Sequence, residues 1–202
     1  QKINQIMKKK IIYKKLIKAI DENISLKKKL YLLNDNIGSA IKIIYNTLKK
    51  GNKILICGNG GSAADAQHLS AEFLIRLRPN VNRKPLPIIS LSLDSSTMTA
   101  CGNDYSFDDL FARTFEALAK KGDLLFCIST SGNSENIIKV LKKANKMKIK
   151  SLSFLGNKGG KAKKLSSLNL IIPHTNTARI QEAHIFLGHF ILENVEKNLF
   201  KK

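Results

Sequence analysis

From residue 51 onwards, short apolar runs alternate with helical stretches, and this alternation constrains the fold more than any other feature of the sequence. Nearly continuous apolar runs predict strands that are buried on both faces, at 54–57, 88–93, 124–128, 152–155 and 168–172. The intervening and following stretches predict helices at about 62–77, 108–120, 134–146, 159–165 and 177–199. The pattern predicts an α/β fold, with a doubly wound, five-stranded parallel sheet that is flanked by helices.

The first 50 residues have a different pattern. Apolar residues recur three or four positions apart over 3–49, which predicts helices, and Asn34, Asn36 and Gly38 predict a break between two of them. We therefore expect an N-terminal helical extension at 1–50 that packs on an α/β domain at 51–202, in one structural unit. The sequence contains neither an internal repeat nor a linker long enough to separate domains.

The charge raises the question of a nucleic-acid partner. The chain has 35 Lys and Arg against 15 Asp and Glu, a net charge of +20. However, only five of these cations are arginines, and residues 1–50 alone hold 13 lysines and 3 acidic residues. These lysines interleave with Ile and Leu at helical spacing, with few aromatic residues on which bases could stack. The pattern favours a solvated helix face, so we expect no nucleic acid as a partner.

Composition also bears on location and on cysteine chemistry. No stretch approaches the roughly 20 apolar residues that a bilayer requires, so we expect no membrane partner. Lys14, Lys15 and Lys18 interrupt the apolar core that a secretory signal would need, and we expect a cytoplasmic protein. The three cysteines are far apart, lack metal-site spacing and are expected to be buried thiols: Cys57, Cys101 and Cys127.

A glycine-rich segment, Gly58-Asn59-Gly60-Gly61-Ser62-Ala63, follows the first predicted strand and opens a helix. Glycines allow close approach of an anion to the backbone, and the helix start supplies free N–H groups. Ser62 is expected to be the N-cap residue, with Asp65 completing a capping box. A dinucleotide fingerprint would need an acidic residue about 20 positions later, which this sequence lacks, so dinucleotide binding is disfavoured.

A hydroxyl-rich segment follows the third predicted strand and also enters a helix. Its hydroxyls belong to Ser129, Thr130, Ser131 and Ser134. One hydroxyl would be enough to cap the helix, whereas four hydroxyls and a glycine at a helix N-terminus suit a phosphate group. Since ligands bind beyond the carboxyl ends of parallel strands, both loops are candidate parts of one site.

Histidine and glutamate occur at suggestive positions on two predicted helices. His68 and Glu72 are four residues apart and therefore share a helix face, as a metal-ligand pair or an acid–base pair would. His189 lies in a mostly apolar stretch of the last helix, where a histidine requires a partner or a chemical role. For His184 we expect packing in the core or on a helix surface, and for His174 a place in a loop.

These segments, taken in order, resemble the phosphoheptose isomerase family, which has the sugar isomerase (SIS) fold with a flavodoxin-like sheet. The matching motifs extend over essentially the whole chain: CGNGGSAADAQH (57–68), AEF (71–73), TACGNDYSF (99–107), ISTSGNS (128–134), NKGGK (157–161), ARIQEAH (178–184) and GH (188–189). The family converts sedoheptulose 7-phosphate to D-glycero-D-manno-heptose 7-phosphate through an enediol. This is the first step of ADP- or GDP-heptose synthesis for lipopolysaccharide.

The resemblance implies roles for individual residues. Glu72 and His189 would be the catalytic base and acid. The substrate would be bound by Asn59, Gly60, Gly61, Glu72, Asn103, Asp104, Ser129, Thr130, Ser131, Ser134 and Gln181. One zinc ion per subunit would be held by His68, Glu72, Gln181 and His189. The family also implies a homotetramer with active sites at subunit interfaces, in which the N-terminal helices would be assembly elements.

One implied ligand set raises a geometric question. Gln181 and His189 are eight residues apart, about 12 Å along an ideal helix, too far for one ion. Either the helix is irregular near Gln181, or two subunits form the site. The sequence also departs from the family at Ile75-Arg76, where a Gly-Arg pair is common, and at Asn157-Lys158.

Two alternatives remain beside the heptose isomerase. One is a non-catalytic protein of the same fold that associates with a replication initiator, and it lacks the catalytic Glu and His that this chain has. The other is an isomerase of the same fold that acts on a different ketose or aldose phosphate.

Overall fold

The protein is described by a computed structural model that covers residues 2–92 and 94–200, with side chains from residue 11 onwards. Its five strands coincide with the five predicted apolar runs, apart from their ends: β1 (Ile54–Gly58), β2 (Ile88–Ser90), β3 (Leu124–Ser129), β4 (Lys150–Gly156) and β5 (Leu168–Ile172). β2 is shorter than predicted. The backbone N–H of Leu91 still donates to the Ile56 carbonyl at 2.7 Å, but the strand ends there.

The strands form one parallel sheet in the order β2-β1-β3-β4-β5. The chain first winds outwards from β1 to β2 and then returns to the other side of β1 at β3. This reversal places the loops that follow β1 and β3 next to each other at the carboxyl edge of the sheet, where open α/β sheets bind ligands. The predicted five-stranded, doubly wound α/β fold is confirmed.

Seven α-helices accompany the sheet within the described residues: α1 (Lys2–Lys29), α2 (Asn34–Lys49), α3 (Gly61–Leu74), α4 (Ser95–Asp104), α5 (Leu110–Leu118), α6 (Glu135–Lys146) and α7 (Thr177–Leu199). The helix expected at 159–165 is only a short 3-10 turn at Ala162–Lys164. A helix that the sequence did not predict, α4, lies between β2 and α5. The Asp94 side chain caps it by accepting a hydrogen bond from the Thr97 N–H at 2.8 Å.

The break between the two N-terminal helices lies earlier than predicted. A 3-10 turn at Leu30–Leu33 separates them, with Leu30 buried in the core. Asn34, Asn36 and Gly38 instead belong to the first turns of α2. The Asn36 side chain is tolerated there because its amide donates to the Asn169 carbonyl on β5 at 2.9 Å.

Apolar side chains form a core on each face of the sheet. Alternate strand residues such as Ile56 and Phe126 pack with α2, α3 and α7 on one face. Their neighbours, such as Leu55 and Leu125, pack with α5 and α6 on the other. The N-terminal helices thus share a core with the sheet. The proposed division at residue 50 stays a prediction.

Cys57 and Cys127 occupy paired positions on β1 and β3, and their Sγ atoms lie 3.6 Å apart. All three cysteines are free and buried, as expected from the sequence. No helix in the described part of the chain is both long enough and apolar enough to cross a membrane.

Candidate active site

The loop after β1 brings backbone close to the start of α3. A side chain at Gly58 would collide with the Ser62 carbonyl oxygen, at 2.5 Å from its Cβ, and Gly60 has φ of +54°. Gly60 is the N-cap residue of α3, and no side chain caps this helix. Ser62 was expected in that role, but it is buried inside the first turn. The N–H groups of Ser62, Ala63 and Ala64 donate to the Asn59 and Gly60 carbonyls, whereas those of Gly60 and Gly61 have no backbone partner among the described residues and are available to a ligand.

The Asn59 side chain ties this loop to the next one. Its amide exchanges two hydrogen bonds with the Asn136 amide, at 2.8 and 2.9 Å, and Asn136 is almost fully buried at the start of α6. The contact holds the glycine-rich loop beside the hydroxyl-rich loop. Asn136 lies outside the residues that the sequence singled out. The sequence shows only its position just after the hydroxyl-rich segment, and its burial and its partner are visible only in the structure.

The hydroxyl-rich loop leads from β3 into α6. Ser129 and Ser131 shape the loop, because their hydroxyls accept hydrogen bonds from the Gly132 and Asn133 N–H groups, each at 3.1 Å. Ser134 is the N-cap residue of α6, yet its side chain makes no capping hydrogen bond. Capping therefore does not explain the Ser134 hydroxyl, which remains able to bind an anion at the helix N-terminus.

Close backbone contacts at glycines join the hydroxyl-rich loop to the segment at 157–161. A Cβ at Gly132 would lie 2.2 Å from the Gly159 carbonyl oxygen, and one at Gly160 would lie 2.5 Å from the Ser131 carbonyl oxygen. The two backbones thus pack directly on each other. The Asn133 side chain also accepts a hydrogen bond from the Lys161 N–H at 3.0 Å. The segment at 157–161 therefore fixes the shape of the loop after β3.

His68, Glu72 and His189 come together between α3 and α7. The Nε2 atoms of the two histidines are 2.9 Å apart, and His68 Nε2 lies 3.3 Å from Glu72 Oε1. One ligand atom from each residue lies within 4.8 Å of the others, an arrangement that can hold a metal ion. The Glu72 carboxylate keeps 21% of its side-chain surface exposed, so a substrate can reach it.

Gln181 lies about two turns before His189 along α7. Its amide lies against Gly61 at the start of α3, where any added Cβ would be 2.5 Å from Gln181 Nε2. Two turns further along, a Cβ added at Gly188 would lie 2.8 Å from the Leu69 side chain. The two helices thus run side by side, and α7 is a regular helix from Thr177 to Leu199. Irregularity near Gln181 is therefore ruled out as the way for Gln181 and His189 to share an ion.

Asn103 and Asp104 lie at the end of α4 and are exposed. The Asn103 amide donates to Asp104 Oδ1 at 2.8 Å. Apart from this bond, neither side chain forms a hydrogen bond with a predicted site residue in the described part of the chain.

The other two histidines lie outside this cluster. His184 is fully buried and its Nε2 donates to the Leu155 carbonyl at 3.1 Å, so it is a core residue. Burial lowers the pKa of His184 from 6.5 to about 4, and the ring is therefore neutral at physiological pH. His174 lies in the loop before α7, where its Nδ1 accepts a hydrogen bond from the Asn176 N–H at 3.0 Å.

Comparison with known proteins identifies the family. Residues 20–156 match the SIS domain family. The chain is 48% identical over 166 residues to a phosphoheptose isomerase of Clostridium acetobutylicum, covering 82% of this chain and 84% of the relative. A phosphoheptose isomerase of Helicobacter pylori strain P12 is 46% identical over 178 residues, 88% of this chain and 92% of the relative. The chain belongs to the phosphoheptose isomerase family.

Solved structures of the family agree with this assignment. The phosphoheptose isomerase GmhA of Neisseria gonorrhoeae superposes with a TM-score of 0.86 at 36% identity, covering 92% of this chain and 99% of that one. A phosphoheptose isomerase of Francisella tularensis gives a TM-score of 0.86 at 33% identity, over 91% and 97% of the two chains. The resemblance seen in the motifs is confirmed, and with it the SIS fold.

Proposed function

We propose that this protein isomerises sedoheptulose 7-phosphate to D-glycero-D-manno-heptose 7-phosphate, in the cytoplasm, as a step of heptose biosynthesis. The observation that carries the proposal is the meeting of Glu72, His68 and His189, the first two of which lie on the helix that begins at the glycine-rich loop. Kinship with phosphoheptose isomerases at nearly 50% identity supports the same reaction. The presence of both Glu72 and His189 disfavours the non-catalytic alternative.

The two loops at the carboxyl edge of the sheet provide the substrate site. The N–H groups at the start of α6 and the hydroxyls of Ser129, Thr130, Ser131 and Ser134 would bind the phosphate. Asn59, Gly60 and Gly61 would line the sugar phosphate, and Asn103 and Asp104 would contact the sugar chain. Holding the phosphate at one end fixes the position of the reacting carbons at the other.

The reaction moves a carbonyl group from C2 to C1. The proton transfers that this requires need one group that acts as a base and one that acts as an acid. Glu72 as base would take a proton from C1 of the ketose to give an enediol, and the proton returns to C2. His189 as acid would supply and recover the proton that moves between the two sugar oxygens. Both side chains belong to helices that the core holds rigidly, so their mutual geometry is fixed before the substrate arrives.

The residues at this site fit a zinc ion. Two imidazole nitrogens and a carboxylate oxygen form a common catalytic zinc set, and their separations here are compatible with one ion. When bound, zinc would stabilise the negative charge that develops on the sugar oxygens. His68, Glu72 and His189 would hold it from one chain, each through one atom, which leaves the second carboxylate oxygen of Glu72 and the Nδ1 of His189 for proton transfer.

Assembly into a homotetramer would complete the site. Because Gln181 lies against Gly61, about two turns of α7 away from His189, we propose that a second copy supplies this ligand. The α1 helix exposes an apolar series that can pack on neighbouring copies: Ile11, Ile12, Tyr13, Leu16, Ile17, Ile20 and Ile24. Sedimentation should give a tetramer. Leu16→Glu with Ile20→Glu should dissociate it, whereas Lys18→Glu should not, and a monomeric native protein would overturn the assembly.

The substrate assignment is tested by comparing turnover of different sugar phosphates. Sedoheptulose 7-phosphate should be converted with a kcat/KM at least tenfold above that for fructose 6-phosphate or ribulose 5-phosphate. Preference for a shorter sugar would point to the related-isomerase alternative. Absence of turnover with all three, in a folded and zinc-replete sample, would contradict an isomerase.

A further inference from the structure

The guanidinium group of Arg83 joins the two helices that carry the candidate catalytic residues. Its side chain is buried, with 1% of its surface exposed. Its Nε donates to Glu196 Oε1 on α7 at 2.5 Å. Its Nη2 donates to the Glu72 carbonyl at 2.9 Å, and its Nη1 donates to the Phe73 carbonyl at 3.0 Å. One side chain thus connects the Glu72 backbone to α7.

These contacts supply hydrogen-bond donors to backbone carbonyls that have no partner within their own helix. α3 ends at Leu74, so the carbonyls of its last turn have no partner within the helix. A cation at this end is also favoured by the helix dipole. The Phe73 carbonyl also accepts a hydrogen bond from the Leu86 N–H at 3.0 Å, whereas the Glu72 carbonyl is held by Arg83.

Glu196 is the residue of α7 that binds the Arg83 guanidinium group. Its side chain is fully buried, and it lies seven residues after His189, two turns along the same face of α7. A second arginine, Arg78, donates from Nε to Glu196 Oε2 at 2.6 Å. Arg78 is 28% exposed and forms no hydrogen bond with α3 among the described residues. Arg78 thus shares in neutralising Glu196, while Arg83 alone links it to the Glu72 carbonyl.

We propose that Arg83 and Glu196 are positioning residues for the isomerisation. They lock the last turn of α3 to α7, and so set where the Glu72 carboxylate lies relative to His189 and the reacting carbons. The proposal rests on the proposed function. Displacement of a catalytic group by about 1 Å can cost roughly 100-fold in rate, which makes such a lock consequential.

The first test replaces the buried pair by apolar residues of similar size, in Arg83→Met with Glu196→Leu. Such replacement of a buried ion pair is often tolerated or stabilising, so the variant is expected to fold. We expect kcat to fall by about 10- to 100-fold. KM for sedoheptulose 7-phosphate should stay within about twofold, because the phosphate loop belongs to other elements. Zinc affinity, measured by chelator competition, should fall as the Glu72 oxygen moves.

Arg78→Met is the matched control, because it removes an arginine from the same carboxylate without touching α3. Its kcat and zinc affinity should stay within about twofold of the wild type. Arg83→Lys is a second variant, which keeps the charge beside Glu196 but cannot hold both carbonyls. It should show reduced kcat at unchanged KM, and it remains informative if the apolar pair fails to fold.

The outcomes separate this proposal from the proposed function. Wild-type protein that turns over no sugar phosphate would contradict the function itself. An active wild type whose Arg83→Lys and apolar-pair variants retain kcat and zinc affinity would overturn the positioning role. An equal loss in Arg78→Met would also overturn it, since that loss would reflect general stability of the buried charges.

Discussion

The Nε2 atoms of His68 and His189 lie 2.9 Å apart, although 121 positions separate the two residues in the chain. The two nitrogens face each other closely enough for one cation to bind both of them. The Glu72 carboxylate on the same side adds a negative charge. The arrangement of the two imidazoles and the carboxylate therefore favours the binding of a divalent metal ion.

Substitution of His68 by Asn should weaken zinc binding by at least about tenfold, because one of three ligands on this chain is lost. Chelator competition on the purified protein measures this directly. His174→Asn serves as the control, since His174 lies in a loop outside the cluster and Asn can still accept the Asn176 N–H. Equal zinc affinity in the two variants would argue against a metal centre at His68.

Substitution of Ser134 by Ala should raise KM for the sugar phosphate while leaving stability nearly unchanged. The Ser134 side chain makes no capping hydrogen bond, so its loss costs α6 little. A hydrogen bond to a charged phosphate contributes about 1.5–3 kcal/mol, which corresponds to about a 10- to 100-fold change in KM. Steady-state kinetics check the effect against Ser39→Ala, a change on the exposed side of α2. A KM that does not move would remove Ser134 from the phosphate site.

Much of the fold could be predicted because its signals are local. Apolar runs such as 124–128 identify buried strands without reference to the rest of the chain, and glycines and hydroxyls after two of them mark the ligand edge. The α4 helix was missed because its first residues, Ser95, Ser96 and Thr97, are poor helix formers. The capping residue Asp94 is the one local signal for the start of this helix. The N-terminal break was misplaced because the hydrogen bond from Asn36 to the distant Asn169 carbonyl is not visible in the sequence.

In the candidate site, too, local features could be predicted from the sequence, whereas contacts between distant residues could not. His68 and Glu72 share a helix face, so their proximity follows from their spacing alone. Their meeting with His189 depends on how α3 packs against α7, which the motif resemblance could suggest but spacing could not. The buried contacts of Asn136, Arg83 and Glu196 escaped sequence reasoning entirely, because each depends on partners distant in the chain.

The pH dependence of stability should reveal His184. Its pKa is lowered by burial from 6.5 to about 4, so the unfolded state binds a proton that the folded state does not over that interval. The free energy of unfolding should therefore fall as pH falls, by up to about 1.4 kcal/mol per pH unit from this group. Asp65 acts in the opposite direction, since burial raises its pKa from 3.8 to about 6.

Comparison with His184→Gln isolates the histidine, because Asp65 is common to both proteins. Denaturant unfolding at pH 7.5 and pH 5, at one fixed protein concentration, should show a smaller loss of stability in the variant than in the wild type. A wild-type protein that loses no more stability than the variant would contradict a neutral, buried His184.

The account depends most on Glu72 as the base that moves the substrate proton. The direct measurement follows sedoheptulose 7-phosphate by NMR in deuterated water, with wild-type protein, Glu72→Gln and the surface control Glu116→Gln. Wild type and Glu116→Gln should form the aldose with deuterium at C2, because the transferred proton exchanges with solvent on the carboxylate. Glu72→Gln should bind the substrate with little loss of affinity but convert it at least about 100-fold more slowly. Turnover by Glu72→Gln at the wild-type rate would contradict the mechanism.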